Sequence, residues 1–173
     1  MPEISLKDVE RYTDYRKNRM DEGVVHKLPD WTRGTFRDLV STGPELRVII
    51  DLYPTILESR DRIGRTVAHE LCFCNKQWAL ELLIHMMQIN ISCINMPDSN
   101  GHLPLHMAAQ EGRLEMFKIM SDAFPEMITH ASNVGRTPLH FAAQQGHLDI
   151  CGTFRVAHNL TVLPFISWIM IDA

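Results

Sequence analysis

Two apolar helical patterns follow each other closely in the last quarter of the chain. Leu139, Phe141 and the two alanines that follow have the spacing of one apolar helix face. Leu148 and Ile150 begin a second such pattern. Gly146 lies between them, where the end of a helix favours a residue that tolerates positive φ. The pattern predicts two helices joined by a tight turn.

The beginning of this helix pair recurs twice upstream. Thr137 can cap the first helix with its hydroxyl, and Pro138 suits the first helical position, where its missing N–H costs nothing. Residues 135–150 are echoed by residues 101–116, which begin 34 residues earlier, and by residues 64–75, which begin another 37 residues earlier. The chain is therefore built from repeats.

A repeat of this period that is headed by Thr-Pro-Leu-His-x-Ala resembles the ankyrin repeat. The resemblance implies an all-α solenoid of helix–turn–helix repeats, about four in this chain, in which each repeat buries its apolar face against its neighbours. The predicted boundaries are 1–29 for an amphipathic helical N-terminal cap, 30–60 for a degenerate repeat, 61–97 and 98–131 for two repeats, 132–155 for an incomplete repeat and 156–173 for an irregular apolar C-terminal tail. A charged, disordered tail is the alternative for residues 1–29.

The upstream copies depart from the pattern in detail. Leu103 replaces the capping Thr of the central repeat, and we expect this to remove a cap that typically contributes about 1 kcal/mol. The repeat before it has Val67 and Ala68 in place of Pro-Leu. Asn75 takes the place of its turn glycine, and Asn is the next best residue in the left-handed region. Both copies keep the pattern of apolar positions.

The C-terminal segment does not follow the repeat. Residues 160–171 are mostly apolar, but they are too few to span a bilayer, and Pro164 interrupts a helix. Three interpretations stay open for the tail. It forms a lid on the last repeat, it belongs to a truncated or altered form of a longer array, or it anchors the chain to a membrane or a partner.

The charge distribution argues against nucleic acid as a partner. The chain has 17 Lys and Arg against 21 Asp and Glu, a formal net charge of −4, and the two signs are mixed along the sequence. A protein that binds the phosphate backbone concentrates basic residues on one face or in one block. We therefore expect no nucleic-acid partner.

Cysteine usage and the N-terminal sequence indicate an intracellular setting. Of the four cysteines, three fall inside the repeat pattern, where Cys behaves as a small apolar residue. The N-terminal residues lack the basic and then apolar regions of a secretory signal. We expect unpaired thiols in a reducing compartment, and a cytoplasmic or nuclear location.

The histidines have a structural explanation in the repeat. His69, His106 and His140 all occupy the histidine of Thr-Pro-Leu-His, and the resemblance implies a structural hydrogen-bonding role for them. His102 and His106 are four residues apart, but Pro104 lies between them and no third metal ligand is evident.

Other combinations of residues that could carry chemistry are weak. His69, Cys72 and Cys74 loosely resemble a zinc cluster, but zinc usually takes four ligands, and Cys74 is expected to point away from Cys72. The chain has no second histidine for a His-Glu-x-x-His motif, no nucleophile elbow and no phosphate-binding loop. We expect no enzyme, no catalytic residue, no cofactor and no metal. A metal-dependent activity built on the histidines is the enzymatic alternative.

The resemblance also implies where a partner binds. Partners of ankyrin repeats usually contact the turn tips and the exposed positions of the first helix in each repeat. By position in the pattern, these residues are Arg62, Ile63 and Arg65, then Ser99, Asn100 and His102, then Asn133, Val134 and Arg136 at the tips, with Phe73, Gln110, Glu111, Gln144 and Gln145 on the helices. Ser132 replaces the usual Asp of the last turn, so we expect that tip to differ in shape.

The sequence thus predicts a non-enzymatic scaffold or adaptor that binds another protein. Arginine at three tip positions suits acidic groups on the partner. The alternative is a regulatory ankyrin segment, or a truncated form, of a larger signalling protein or channel. Membrane association through the apolar tail is a further, less favoured interpretation.

Overall fold

Residues 36–41 and 43–157 are the part of the chain that the computed structural model describes. The chain divides into two compact units, residues 1–31 and 32–173, and every described residue belongs to the second. The expected N-terminal cap over 1–29 therefore lies outside the described residues. So do residues 158–173 of the tail expected over 156–173, whose first two residues belong to the last helix.

The described ranges form a stack of short helices without a strand. The α-helices are α1 (Phe36–Val40), α2 (Leu46–Leu52), α3 (Val67–Leu71), α4 (Gln77–Ile89), α5 (Pro104–Gln110), α6 (Leu114–Ala123), α7 (Pro138–Gln144) and α8 (Leu148–Ala157), with 3-10 turns at Gly43–Glu45, Pro54–Leu57, Ile91–Ile94 and Pro125–Thr129. Helices α3 and α4, α5 and α6, and α7 and α8 pack as pairs, and α5 packs against both α3 and α7. This confirms the expected all-α repeat solenoid. The boundaries drawn between the repeats stay predictions.

A histidine in the first turn organises the start of each first helix. The backbone N–H of Thr66 donates to Nδ1 of His69 over 3.1 Å, and Thr137 makes the same bond to His140 over 3.2 Å. In the central pair, where Leu103 has no hydroxyl, its backbone N–H still donates to Nδ1 of the corresponding histidine over 3.0 Å. The Leu substitution therefore removes a hydroxyl but not the hydrogen bond from backbone to ring.

The turns that precede these helices are built on a polar side chain. Oδ1 of Asp61 accepts from the backbone N–H groups two and four residues on, at 3.0 and 2.9 Å, and Asp98 does the same at 2.8 Å for both. Ser132 accepts one such bond, from Arg136. Its backbone N–H and carbonyl nevertheless make the same turn bonds as the aspartates, to Arg136 and from Gly135. The last turn thus keeps the backbone bonds of the other two turns and lacks one of their side-chain bonds.

Two glycines allow neighbouring pairs to approach closely. Gly101 has φ of 76°, and a Cβ there would lie 2.6 Å from Oδ1 and 2.9 Å from the backbone N of Asn133. Gly112 has φ of 67°, and a Cβ there would meet the ring of His147 at 2.6 Å. Both positions combine a left-handed backbone with contact to the next pair, so only glycine fits without strain.

The core lies between successive pairs rather than at one centre. Leu71, Leu83, Met86, Leu105 and Met120 are fully buried. Each contributes about 1.5–3 kcal/mol by leaving water. Because these side chains belong to α3 through α6, one pair cannot bury its apolar face without the next.

Candidate protein-binding surface

Each first-helix histidine also connects its pair to the next one. Nε2 of His69 lies 2.9 Å from the carbonyl oxygen of His102, and Nε2 of His106 lies 3.2 Å from that of Arg136. Since Nδ1 of each ring accepts a backbone hydrogen bond, Nε2 carries the hydrogen and donates. Burial lowers the pKa of His69 and of His106 to about 4, which favours this neutral form. These histidines hold the scaffold together and are not free to bind a ligand.

A second set of contacts runs in the opposite direction along the chain. Nε of Arg113, just before α6, donates to the carbonyl oxygen of Cys72 over 3.2 Å. His147, just before α8, places Nε2 2.9 Å from the carbonyl oxygen of Gln110. Both carbonyls lie at the end of the preceding first helix, where the backbone lacks helical partners.

The turn tips are stacked by hydrogen bonds as well. The backbone N–H of Ser99 donates to the carbonyl of Ile63 over 3.3 Å, and that of Asn133 donates to the carbonyl of Asn100 over 3.0 Å. Nδ2 of Asn133 also donates to the carbonyl of Ser99 over 3.2 Å. All four residues are exposed. The hydrogen bonds fix the backbones of these residues in place, and most of their side chains still face solvent.

Arg65 differs from the other tip arginines, because it is engaged inside the protein. Its Nη1 donates to Oε1 of Glu70 over 2.9 Å, and its Nε lies 4.0 Å from Oδ2 of Asp98. Both carboxylates are almost fully buried, and the Arg65 side chain is 22% exposed. The guanidinium groups of Arg65 and Arg37 lie 5.1 and 5.6 Å from the ring centroid of Phe73. Arg65 and Phe73 thus form one cluster with buried acids.

Arg62 and Arg136 are exposed, as expected for a binding surface. Nη1 of Arg136 donates to Oε1 of Gln144, the last residue of α7. Two apolar tip residues accompany these arginines, since Ile63 is 39% exposed and Val134 is 76% exposed. Basic and apolar groups therefore alternate along the first and last tips.

The side chain of His102 packs between the last two helix pairs. Its Nδ1 lies 3.4 Å from Oδ2 of Asp98. Its ring centroid is 5.3 Å from that of Phe141, in an edge-on arrangement, and 5.6 Å from that of His106. The ring of His130 also contacts His106, with 5.9 Å between centroids. His102 is only partly available to a partner.

The remaining candidate residues line the first helices. Gln110 and Glu111 are half-buried at the end of α5, and Gln144 and Gln145 are exposed at the end of α7. The candidate residues of the tips and helices therefore fall into two groups. One group is exposed, and the other is partly buried in the scaffold. The embedded group comprises Arg65, Phe73, His102, Gln110 and Glu111.

The described residues offer little to a metal or to a covalent reaction. Within them, no group of three or more His, Cys, Asp or Glu side chains is placed to hold a metal ion. Cys72 is buried, with Sγ 3.3 Å from the carbonyl oxygens of Ala68 and Pro104, and burial raises its pKa to about 12. Over the same residues, no helix combines the length and apolar character that crossing a membrane requires.

Sequence reasoning missed the acidic half of the Arg65 cluster. Glu70 occupies the position that Met107 and Phe141 hold in the later repeats. A carboxylate at an otherwise apolar position was a usable signal, because a buried charge needs a partner. Oε2 of Glu70 also lies 3.5 Å from Nε of Arg37. The repeat pattern could not predict this contact, because Arg37 belongs to another helix pair.

Comparison with known proteins supports the architecture. No curated protein matches the chain. Residues 76–155, from just before α4 to within α8, match the family model described as ankyrin repeats, in three copies. The match includes His106 and His147, and it leaves out α3 with His69. Over these 80 of its 173 residues the chain is similar to the ankyrin repeat family.

Proposed function

We propose that this chain is a non-enzymatic scaffold or adaptor that binds another protein through its turn tips and the exposed ends of its first helices. Ankyrin repeats are generally protein–protein interaction modules, and the family is typically non-enzymatic. The proposed location is the cytoplasm or nucleus. Its support is that Cys72, Cys74, Cys93 and Cys151, which are all the cysteines of the chain, are free thiols.

The observation that carries the proposal is the fixed backbone of exposed tips. Tip residues give their N–H and carbonyl groups to neighbouring tips, so their positions are set before a partner arrives. A surface that is already ordered loses less conformational entropy on binding. A row of stacked tips therefore presents side chains at fixed spacing, which suits an extended segment or a flat face of a protein.

The charged and apolar side chains of the exposed tips indicate what kind of protein surface they would bind. Arg62 and Ile63 lie on the first tip, and Val134 and Arg136 lie on the last. Arginine is favoured at protein interfaces because it combines charge, planar hydrogen bonding and apolar contact. The matching partner surface carries acidic side chains next to apolar ones, and Asn100 and Gln145 add adjustable hydrogen bonds.

Charge reversal at the exposed arginines tests the proposal. A partner is first captured with the full chain as bait and identified by mass spectrometry, and its affinity is then measured for Arg62→Glu, for Arg136→Glu and for the control Arg47→Glu. Arg47 is an exposed arginine on α2, away from the tips. We expect each tip variant to weaken binding by about tenfold, the effect of losing 1.4 kcal/mol, with an unchanged melting temperature.

Two results would contradict this surface. Unchanged affinity in both tip variants would exclude the tips as the binding site. A loss that is as large in Arg47→Glu would show that net charge, rather than position, decides binding.

A further inference from the structure

The central tip, residues 98–102, carries an asparagine directly before a glycine. Asn100 is exposed, and Asn100-Gly101 is the one Asn-Gly pair in the sequence. The other two tips have Ile63 and Val134 in place of Asn100, each before the corresponding glycine. Because glycine has no Cβ, its backbone nitrogen is open to approach by the preceding side chain. Of the three tips, the central one alone has this combination.

The hydrogen bonds around Asn100 leave its side-chain amide free. Its backbone N–H donates to Oδ1 of Asp98 over 2.8 Å, and its carbonyl accepts from the backbone N–H of Asn133 over 3.0 Å. Among the described residues, no group hydrogen-bonds to its side-chain amide. The amide of Asn133, in contrast, donates to the carbonyl of Ser99 over 3.2 Å. Asn100 can therefore change its side-chain rotamer without breaking a hydrogen bond.

An asparagine is thermally labile, and before a glycine it can lose ammonia without a catalyst. The backbone nitrogen of Gly101 attacks Cγ of Asn100, and a C–N bond forms as the bond from Cγ to Nδ2 breaks. Nδ2 leaves as ammonia with the proton of the Gly101 N–H, and a succinimide ring remains. Water then opens the ring at Cγ, which yields aspartate, or at the backbone carbonyl carbon, which yields isoaspartate. The reaction consumes only water, and nothing is oxidised or reduced.

One hydrogen bond of the turn must open for this reaction. The backbone N–H of Gly101 donates to the carbonyl of Asp98 over 3.0 Å, so the nitrogen can attack only when this bond is broken. The bond lies in a turn beside the exposed Asn100, and exposed turns are among the parts of a protein that open at low free energy. We therefore expect the fold to slow the reaction without preventing it.

The isoaspartate product changes the backbone that joins the central tip to the last one. Its main chain runs through Cβ and Cγ, which adds one carbon atom between Cα of residue 100 and the nitrogen of Gly101. The carbonyl that accepts from Asn133 then becomes part of a side-chain carboxylate. Gly101 already lies so close to Asn133 that a Cβ on it would be 2.6 Å from Oδ1 of that residue. Little room is left for a longer main chain.

We propose that Asn100 deamidates spontaneously through a succinimide with Gly101, and that isoaspartate formed there releases the central tip from the last one. Either product also adds a carboxylate to a tip whose neighbours carry Arg62 and Arg136. The reaction itself does not depend on the proposed function. It removes a hydrogen bond between tips on which that function rests, so it weakens the binding surface as the protein ages.

Timed incubation of the full chain tests the site. Wild type and Asn100→Ser are kept in mildly alkaline buffer, which favours attack by the backbone nitrogen, and in the same buffer with urea. Peptide mass spectrometry measures the replacement of the side-chain NH2 by OH at each asparagine, and electron-transfer fragmentation distinguishes aspartate from isoaspartate. Asn133 is the internal control, because it is exposed on the last tip but precedes Val134, whose β-branched side chain hinders attack.

We expect Asn100 of the folded wild type to convert about tenfold faster than Asn133, which corresponds to a barrier about 1.4 kcal/mol lower. Urea should speed up the conversion of Asn100 further, because it opens the turn. Two results would overturn the site. Conversion of Asn100 no faster than that of Asn133 in native buffer would show that the glycine gives no advantage. Conversion in urea alone would show that the turn stays closed in the folded protein.

Amide hydrogen exchange tests the release of the tip. Ion-exchange chromatography separates the isoaspartate form from aged wild type, and this form should not accumulate in Asn100→Ser. Asn100→Asp is the matched control, because it carries the added charge on an unaltered main chain. We expect the amide of Asn133 to exchange about tenfold faster in the isoaspartate form than in wild type, and Asn100→Asp to exchange as wild type.

The exchange experiment can contradict the release in two ways. Equal exchange at Asn133 in wild type and in the isoaspartate form would show that the tips stay joined. Exchange that is just as fast in Asn100→Asp would assign the effect to the added charge rather than to the longer main chain.

Discussion

Nε2–H of His69 donates to the backbone carbonyl of His102, 2.9 Å away, and so joins two helix pairs through one buried imidazole. The same ring accepts a hydrogen bond from the backbone N–H of Thr66. Both ring nitrogens are therefore used, one within the pair and one across the joint. His106 repeats this arrangement one pair further along, between Leu103 and Arg136.

Removing a joint histidine should destabilise the stack. His106→Ala takes away one bond within its pair and one between pairs. It leaves the buried backbone N–H of Leu103 unsatisfied, whereas the carbonyl of Arg136 still accepts from the backbone N–H of Ser132. We expect a loss of about 2–4 kcal/mol in the free energy of unfolding, measured by urea denaturation. His85→Ala is the control, since His85 pairs with Asp51 at the surface, and it should cost under about 1 kcal/mol. Equal losses in the two variants would contradict the joint role of His106.

The same histidines should make stability depend on pH. Burial lowers the pKa of His69 and of His106 from the ordinary value of 6.5 to about 4. Between these values the unfolded chain binds more protons than the folded one, so stability is complete above pH 6.5 and is lost as the pH falls towards 4. We expect a loss of about 1–2 kcal/mol per histidine between pH 6.5 and 5.

Urea denaturation of wild type and of His106→Gln over this pH range checks the prediction. Gln cannot bind the proton, so the variant should lose less stability as the pH falls. A pH dependence that is identical in both proteins would show that His106 does not contribute. The range stops at pH 5, because the carboxylates begin to titrate below it.

Arg65 and Arg62 should respond to substitution in opposite ways. Arg65→Met removes the guanidinium that pairs with the buried carboxylate of Glu70 and lies near that of Asp98. Breaking a buried pair costs about 3–5 kcal/mol, and we expect the lower end of this range because Arg37 stays 3.5 Å from Glu70. Arg62→Met, three residues earlier on the exposed tip, should change the free energy of unfolding by less than about 0.5 kcal/mol. Thermal and urea unfolding of both variants make the comparison. A stability loss confined to Arg62→Met would reverse our division into embedded and exposed residues.

Close packing between tips should make one glycine more sensitive than another. Gly101→Ala and Gly135→Ala introduce the same Cβ at nearly the same φ, 76° and 77°. Both should pay the left-handed strain of about 1–2 kcal/mol, but only the Cβ at 101 would also collide with Asn133. We expect the midpoint of thermal unfolding to fall further for Gly101→Ala. An equal fall would show that strain alone decides the cost.

Local sequence pattern was sufficient for the helix pairs and their turns. The period of the apolar residues, the glycines at positive φ and the common position of His69, His106 and His140 each correspond to a feature of the stack. These features arise within one repeat or between copies of one motif. A pattern that repeats along the sequence is enough to predict them.

Contacts between residues at different positions of the repeat could not be predicted from the sequence. Arg65 was expected to face a partner, yet it meets Glu70, five residues on, and Asp98, in the next turn. Arg113 was given no role, and it donates to the carbonyl of Cys72, 41 residues earlier. Which side chains meet across a joint depends on the spacing of packed helices, and no single repeat encodes that spacing.

The forward direction of the histidine joints has a consequence for how the protein is made. The carbonyl that satisfies His69 belongs to a residue synthesised 33 positions later, and the one that satisfies His106 comes 30 positions later. At ordinary rates of translation, each interval lasts about 2–7 s. During that time the newly made pair carries an imidazole N–H without its acceptor. Each pair is therefore completed by its successor, so the order of synthesis sets the order in which the stack becomes stable.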